Sequence, residues 1–76
     1  MMYVGGQIIN PSVDYTNVKF KAINCSGSGS CTVQCTTTAG DGITVTIAGG
    51  HTLPLAIRGV TAAGTSVSSA TIVALY

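Results

Sequence analysis

Asp41-Gly42-Ile43-Thr44-Val45-Thr46-Ile47-Ala48-Gly49-Gly50 is the stretch that decides the fold. Ile43, Val45 and Ile47 alternate with Thr44 and Thr46, the two-residue period of a strand with one apolar and one polar face. Most of these residues are β-branched and suit a pleated, half-buried surface. The Asp-Gly pair before the run is a hairpin signal because glycine tolerates positive φ, and Gly49-Gly50 turns the chain again.

The same period extends outward in both directions. Residues 31–37 put Cys31, Val33 and Cys35 on one side of a strand and Thr32, Gln34 and Thr36 on the other. Before them, Ser26-Gly27-Ser28-Gly29-Ser30 has the composition of a flexible link. Residues 17–24 read as a further strand, with Val18, Phe20 and Ala22 opposite Lys19 and Lys21.

Downstream, residues 52–61 hold Leu53, Leu55 and Ile57 in phase, and Pro54, lacking a backbone donor, belongs at a strand start or an edge. Gly59 then interrupts, and Val60 is out of phase with Ile57, as a bulge would produce. Residues 62–66 read as a loop. The last strand, 69–76, shows Ile72, Ala74 and Tyr76 on one face and Val73 and Leu75 on the other. A strand apolar on both faces has to be covered on both.

At the other end, Gly5-Gly6 and Asn10-Pro11-Ser12 are turn signals around Ile8-Ile9, a short pairing or docking piece. Residues 1–16 read as an N-terminal arm and 17–76 as a single β-domain. Helix signals are nearly absent: there is no Glu, and apolar residues do not recur at helical spacing. The expectation is an all-β fold, a small antiparallel β-sandwich or barrel of about five to six strands with an extended N-terminal arm.

Composition narrows the function classes. Lys19, Lys21, Arg58, Asp14 and Asp41 are the five fixed charges among 76 residues, or 7%, against about 25% in an ordinary domain. A net charge of +1 is too small for non-specific nucleic-acid binding, which needs several cations to neutralise phosphates. No apolar run reaches membrane-spanning length. Met1-Met2-Tyr3-Val4-Gly5-Gly6 lacks the basic and apolar regions of a secretory leader, so an exported precursor is not expected. Hydrophobicity is too high and charge too low for disorder. A chain this small buries only about 60% of its unfolded surface and wants a disulfide, a metal or neighbouring subunits. Near-zero net charge favours self-association.

Chemistry-bearing residues are few. Cys25, Cys31 and Cys35 do not have paired zinc-ligand spacing, and His51 is the only histidine. A Cys25–Cys31 disulfide across the Ser-Gly turn is a reasonable geometry, worth about 2 kcal/mol; small buried or interface thiols are the other reading. Cys, His51 and Asp41 could be imagined as a triad, but nothing in their spacing joins them, and no catalytic residue is assigned. Gly27-Ser28-Gly29 has no following helix or Lys-Ser/Thr end to cradle phosphate. Lys19, Lys21 and Arg58 read as solvated charges. Tyr3, Tyr15 and Tyr76 read either as interface anchors, since tyrosine is enriched where proteins meet, or as ordinary partly buried side chains.

The carboxy-terminal half carries a resemblance. Thr38-Ala39-Gly40, Ile43-Thr44-Val45-Thr46-Ile47-Ala48, Leu53-Pro54-Leu55, Arg58, Val60, Ala63-Gly64-Thr65 and the ending Ile72-Val73-Ala74-Leu75-Tyr76 follow one another in order. That order resembles the head spike-base family, small head proteins of tailed bacteriophages and gene transfer agents. The likeness covers roughly residues 38–76 and is most specific at the terminus.

The resemblance implies a structural virion protein on the outer capsid surface, a head decoration (cement) or vertex spike-base subunit assembled in the host cytoplasm. It implies neither catalysis nor cofactor. The expected partners are the major capsid protein, further copies of the chain in a homo-oligomer, and a spike or fibre protein. No nucleic acid or membrane partner is expected. The expected interface residues are Tyr3, Ile8, Ile9, Tyr15, Val73, Leu75 and Tyr76. A second reading is a receptor- or carbohydrate-binding β-sandwich of a phage fibre or spike, against which stands the absence of Trp. A disulfide-stapled secreted peptide is disfavoured by three cysteines and the missing leader.

Overall fold

The computed structural model describes residues 3–76, so the first two residues of the expected arm lie outside the described residues. Four strands follow in order: β1 (Gly6–Ile9), β2 (Phe20–Thr37), β3 (Gly42–Ala48) and β4 (Thr52–Leu75). They form one sheet in the order β1-β4-β2-β3. The fold is all-β, with fewer and longer strands than the expected five to six.

The difference arises at two places where small residues bend a strand without ending its pairing. Residues 26–30, expected to be a flexible link, lie inside β2. There the backbones converge: the N–H of Gly49 donates to the Gly29 carbonyl at 2.7 Å and that of Gly50 to the Cys25 carbonyl at 2.7 Å. A Cβ on Gly29 would fall inside the carbonyl oxygen of Ser68, so a side chain is excluded. Serine and glycine are here because of close approach rather than flexibility.

The second place is residues 62–66, expected to be a loop between two strands. They are an excursion within β4: pairing passes from Gln34↔Thr61 to Thr32↔Ser66, so four β4 residues are looped out opposite Val33. Thr65 closes the gap. Its buried Oγ1 accepts from the Gln34 N–H at 3.1 Å and donates to the Thr61 carbonyl at 2.6 Å, replacing the missing ladder bonds.

Strands β2 and β4 make most of the fold. Residues 20–24 pair with 52–57, 22–27 with 70–75, 30–32 with 66–68, and 34–37 with 57–61, and in every run the two strands count in opposite directions. Ala22, Ile23 and Asn24 therefore have a β4 neighbour on each side, and Ile57 lies between Phe20 and Thr37, the two ends of β2. The extra residue between Thr36↔Gly59 and Thr37↔Ile57 is Arg58, which accounts for the phase break at Val60.

β2 and β3 form the expected antiparallel hairpin, with Cys31↔Ile47, Val33↔Val45 and Cys35↔Ile43 facing one another. The turn sits one step earlier than the Asp-Gly pair suggests. Gly40 takes the left-handed conformation (φ 99°), while Gly42 already opens β3 opposite Thr36. The core gathers Ile9, Phe20, Ile23, Cys25, Cys31, Val33, Cys35, Ile47, Ile57, Val60, Ile72 and Ala74.

Within the amino-terminal segment, residues 6–9 and 14–15 bond to β4. β1 pairs antiparallel with the end of β4, from Gly6↔Leu75 to Ile9↔Ile72. Tyr15 and Val60 exchange both backbone hydrogen bonds, at 2.8 and 2.9 Å, and the Ala62 N–H donates to the Asp14 carboxylate at 2.7 Å. Ile9 is 2% exposed and belongs to the core. Removing residues 1–12 therefore removes part of the fold as well as any contact they make.

Candidate assembly interface

Alternation along β1 and β4 decides what this end of the sheet presents. Ile9, Ile72 and Ala74 point inward and are buried. Gly6 and Ile8 share the opposite face with Leu75 and Val73, their direct partners. Gly6 leaves the room between them: a Cβ there would touch Val73 Cγ1 at 3.3 Å and Leu75 Cδ2 at 3.4 Å. Val4 lies just before β1, where the regular ladder ends. The N–H groups of Val4 and Gly5 both donate to the Tyr76 carbonyl, at 2.6 and 3.1 Å, and Tyr76 N–H donates back to Gly5 at 3.0 Å.

The result is an apolar surface across the outermost strand β1 and the end of its neighbour β4. Val4 is 82% exposed and Ile8 70%, with Val73 and Leu75 half-buried beside Ile8; Tyr76, 41% exposed, places its ring against Gly5 instead. No charged side chain belongs to β1 or to residues 70–76. Exposed edges in monomeric proteins are commonly blunted by Lys or Pro; neither β1 nor β3, the two outer strands, contains one.

Of the seven expected interface residues, Ile8, Val73 and Leu75 share one face at this end of the sheet, while Tyr76 lies at the same end with its ring against Gly5. Ile9 is corrected to a core residue, because its face of β1 is the inner one. Tyr15 is half-buried, packs against the core and accepts the Asn10 N–H on its hydroxyl at 3.0 Å, so it anchors its own chain. Tyr3 is half-buried. Val4 went unassigned; its 82% exposure just before β1 was not legible from the sequence.

The other candidate residues scatter. Asp41 lies in the β2–β3 turn and His51 in the β3–β4 turn, at opposite ends of β3, while the three cysteines are buried. The imagined triad is not assembled. His51 serves through its backbone: its carbonyl accepts from the Cys25 N–H at 3.0 Å and from Asn24 Nδ2 at 3.3 Å. Burial pushes the Cys35 thiol up, and burial together with the adjoining Cys25 pushes Cys31 up to about 12. Elsewhere, Asp14, Tyr15, Thr16, Asn17, Thr36, Arg58 and Thr61 line an open polar groove of about 370 Å³.

No helix among the described residues is long and apolar enough to cross a membrane. No family model, no curated protein and no solved structure matches this chain.

Proposed function

We propose that this chain is a structural virion protein on the outer capsid surface of a tailed phage, a head decoration or vertex spike-base subunit that works by protein–protein contact. The observation that carries the reading is the uncharged apolar surface formed by Ile8 on edge strand β1 and by Val73 and Leu75 beside it on β4, with the exposed Val4 just before β1. It coincides with the Ile72–Tyr76 terminus on which the resemblance is most specific. A chain with 7% charged residues gains little from standing alone in water. Covering this surface with a further copy, the major capsid protein or a spike would add the burial that its small core lacks.

In this reading β2 and β4 wrap into a small sandwich or barrel. The double pairing of Ile57 and of residues 22–24 supports it, as does a Cα thickness of 16 Å against 30 and 29 Å across.

Ile8→Asp is the direct test. A charge placed on a surface that must become dry should weaken self-association and attachment to particles at least about tenfold, or roughly 1.4 kcal/mol. Stability should stay within about 0.5 kcal/mol, because Ile8 is exposed in the single chain. Analytical ultracentrifugation and the copy number on purified particles read the first effect, and urea denaturation the second. Unchanged association and full occupancy would overturn the proposal.

The carbohydrate-binding reading would act in the groove with Arg58, Asp14 and Tyr15. On a glycan array it requires binding that Arg58→Ala abolishes; the assembly reading expects no glycan bound by either form.

A further inference from the structure

Cys25 and Cys31 are six residues apart within one strand. In a straight strand that separation spans about 20 Å, far beyond the reach of a disulfide. The bend at Gly27–Gly29 brings their sulfurs into contact instead, 2.6 Å apart, with both side chains at 0% exposure. The bend is fixed from outside by Gly49, Gly50 and His51, whose backbone groups bond to Gly29 and Cys25. Cys35 stands apart: it lies four residues farther along β2, where pairing with both β3 and β4 holds the strand extended, about 13 Å from Cys31.

We infer that Cys25 and Cys31 form a redox pair, closed by a small disulfide oxidant into an intrachain bridge across the β2 bend, with Cys35 left as a thiol. One of the two thiols, as thiolate, attacks a sulfur of the oxidant and releases half of it as a thiolate. The second gives up its proton, attacks the mixed disulfide and expels the other half. The pair loses two electrons and two protons, and the oxidant takes up both as two thiols. Because both sulfurs are buried, exchange requires the bend to open. The bridge therefore forms during folding and resists reduction afterwards. The inference is independent of the proposed assembly role.

The full chain, refolded from denaturant in a mixture of reduced and oxidised glutathione, provides the test. Alkylation in denaturant followed by mass mapping should find a single modified cysteine, Cys35, against all three after refolding in dithiothreitol. The bridged form should melt on the order of 10 °C above the reduced form, from the constraint of a short loop on the unfolded chain. Cys35→Ala should retain this shift, and Cys25→Ser together with Cys31→Ser should abolish it. Three alkylated thiols after oxidative refolding would refute the pair, and so would a bridge containing Cys35. Mass mapping of the unmutated chain decides this even if a cysteine variant fails to fold.

Discussion

Ile57→Ala is expected to cost about 2–5 kcal/mol, the range for emptying a buried isoleucine site. For a chain of 76 residues the total stability expected is only about 4–11 kcal/mol, so this one change removes a large part of it. Ile57 is fully buried and sits where both ends of β2 meet β4, through Phe20 on one side and Thr37 on the other. A cavity there loosens both runs of pairing at once, and the surrounding backbone, hydrogen-bonded on both sides, has little freedom to collapse into it. Urea denaturation followed by circular dichroism should show the midpoint falling sharply, with a conservative Ile57→Val losing about 0.5–1.5 kcal/mol. An alanine variant as stable as the parent would mean that Ile57 is not the closing point of the fold.

Gly29→Ala is expected to be at least as damaging, for the opposite physical reason. The added methyl would occupy the position of the Ser68 carbonyl, which belongs to backbone and cannot rotate away. One strand has to move off the other. Overpacking of this kind costs about 1–3 kcal/mol where side chains can adjust, and here they cannot, so the loss should reach or pass the upper figure. Gly42→Ala is the matched control. Nothing lies within 4 Å of its Cβ position, and the strand gains a residue with less freedom to lose, so its stability should change by no more than about 0.5 kcal/mol. If the two substitutions behave alike, the packed glycine corner is wrong.

These two positions also separate what was legible in the sequence from what was not. The inward set of Cys31, Val33, Cys35, Ile47 and Ile57 followed from two-residue alternation alone, because a strand places every second side chain on the same side. The bulge near Gly59 announced itself by the same rule, through the phase break between Ile57 and Val60. The Ser-Gly stretch misled: flexible linkers and tightly crossing backbones both select small residues, and composition does not distinguish them. Thr65 was invisible too, since its role is to satisfy the Gln34 N–H across 31 residues of chain.

The candidate interface divides the same way. Val73 and Leu75 were readable as a second apolar face of the last strand, and Ile8 and Ile9 as a short apolar piece that must dock somewhere. Which of the two isoleucines faces outward depends on the register of β1 against β4, and a shift of one residue would exchange them. Pairing of Ile9 with Ile72 and of Ile8 with Val73 settles it.

By itself, then, the order of residues determined an all-β chain, its alternating faces and its poverty of charge, since these depend only on local period and side-chain type. Tertiary structure alone decided that β1 lies on its own sheet, that six predicted pieces are four bent strands, and that Gly29 packs against the Ser68 carbonyl. All three depend on contacts between residues brought together by bends, and a bend at glycine states only that the chain can turn, not which neighbour it will meet.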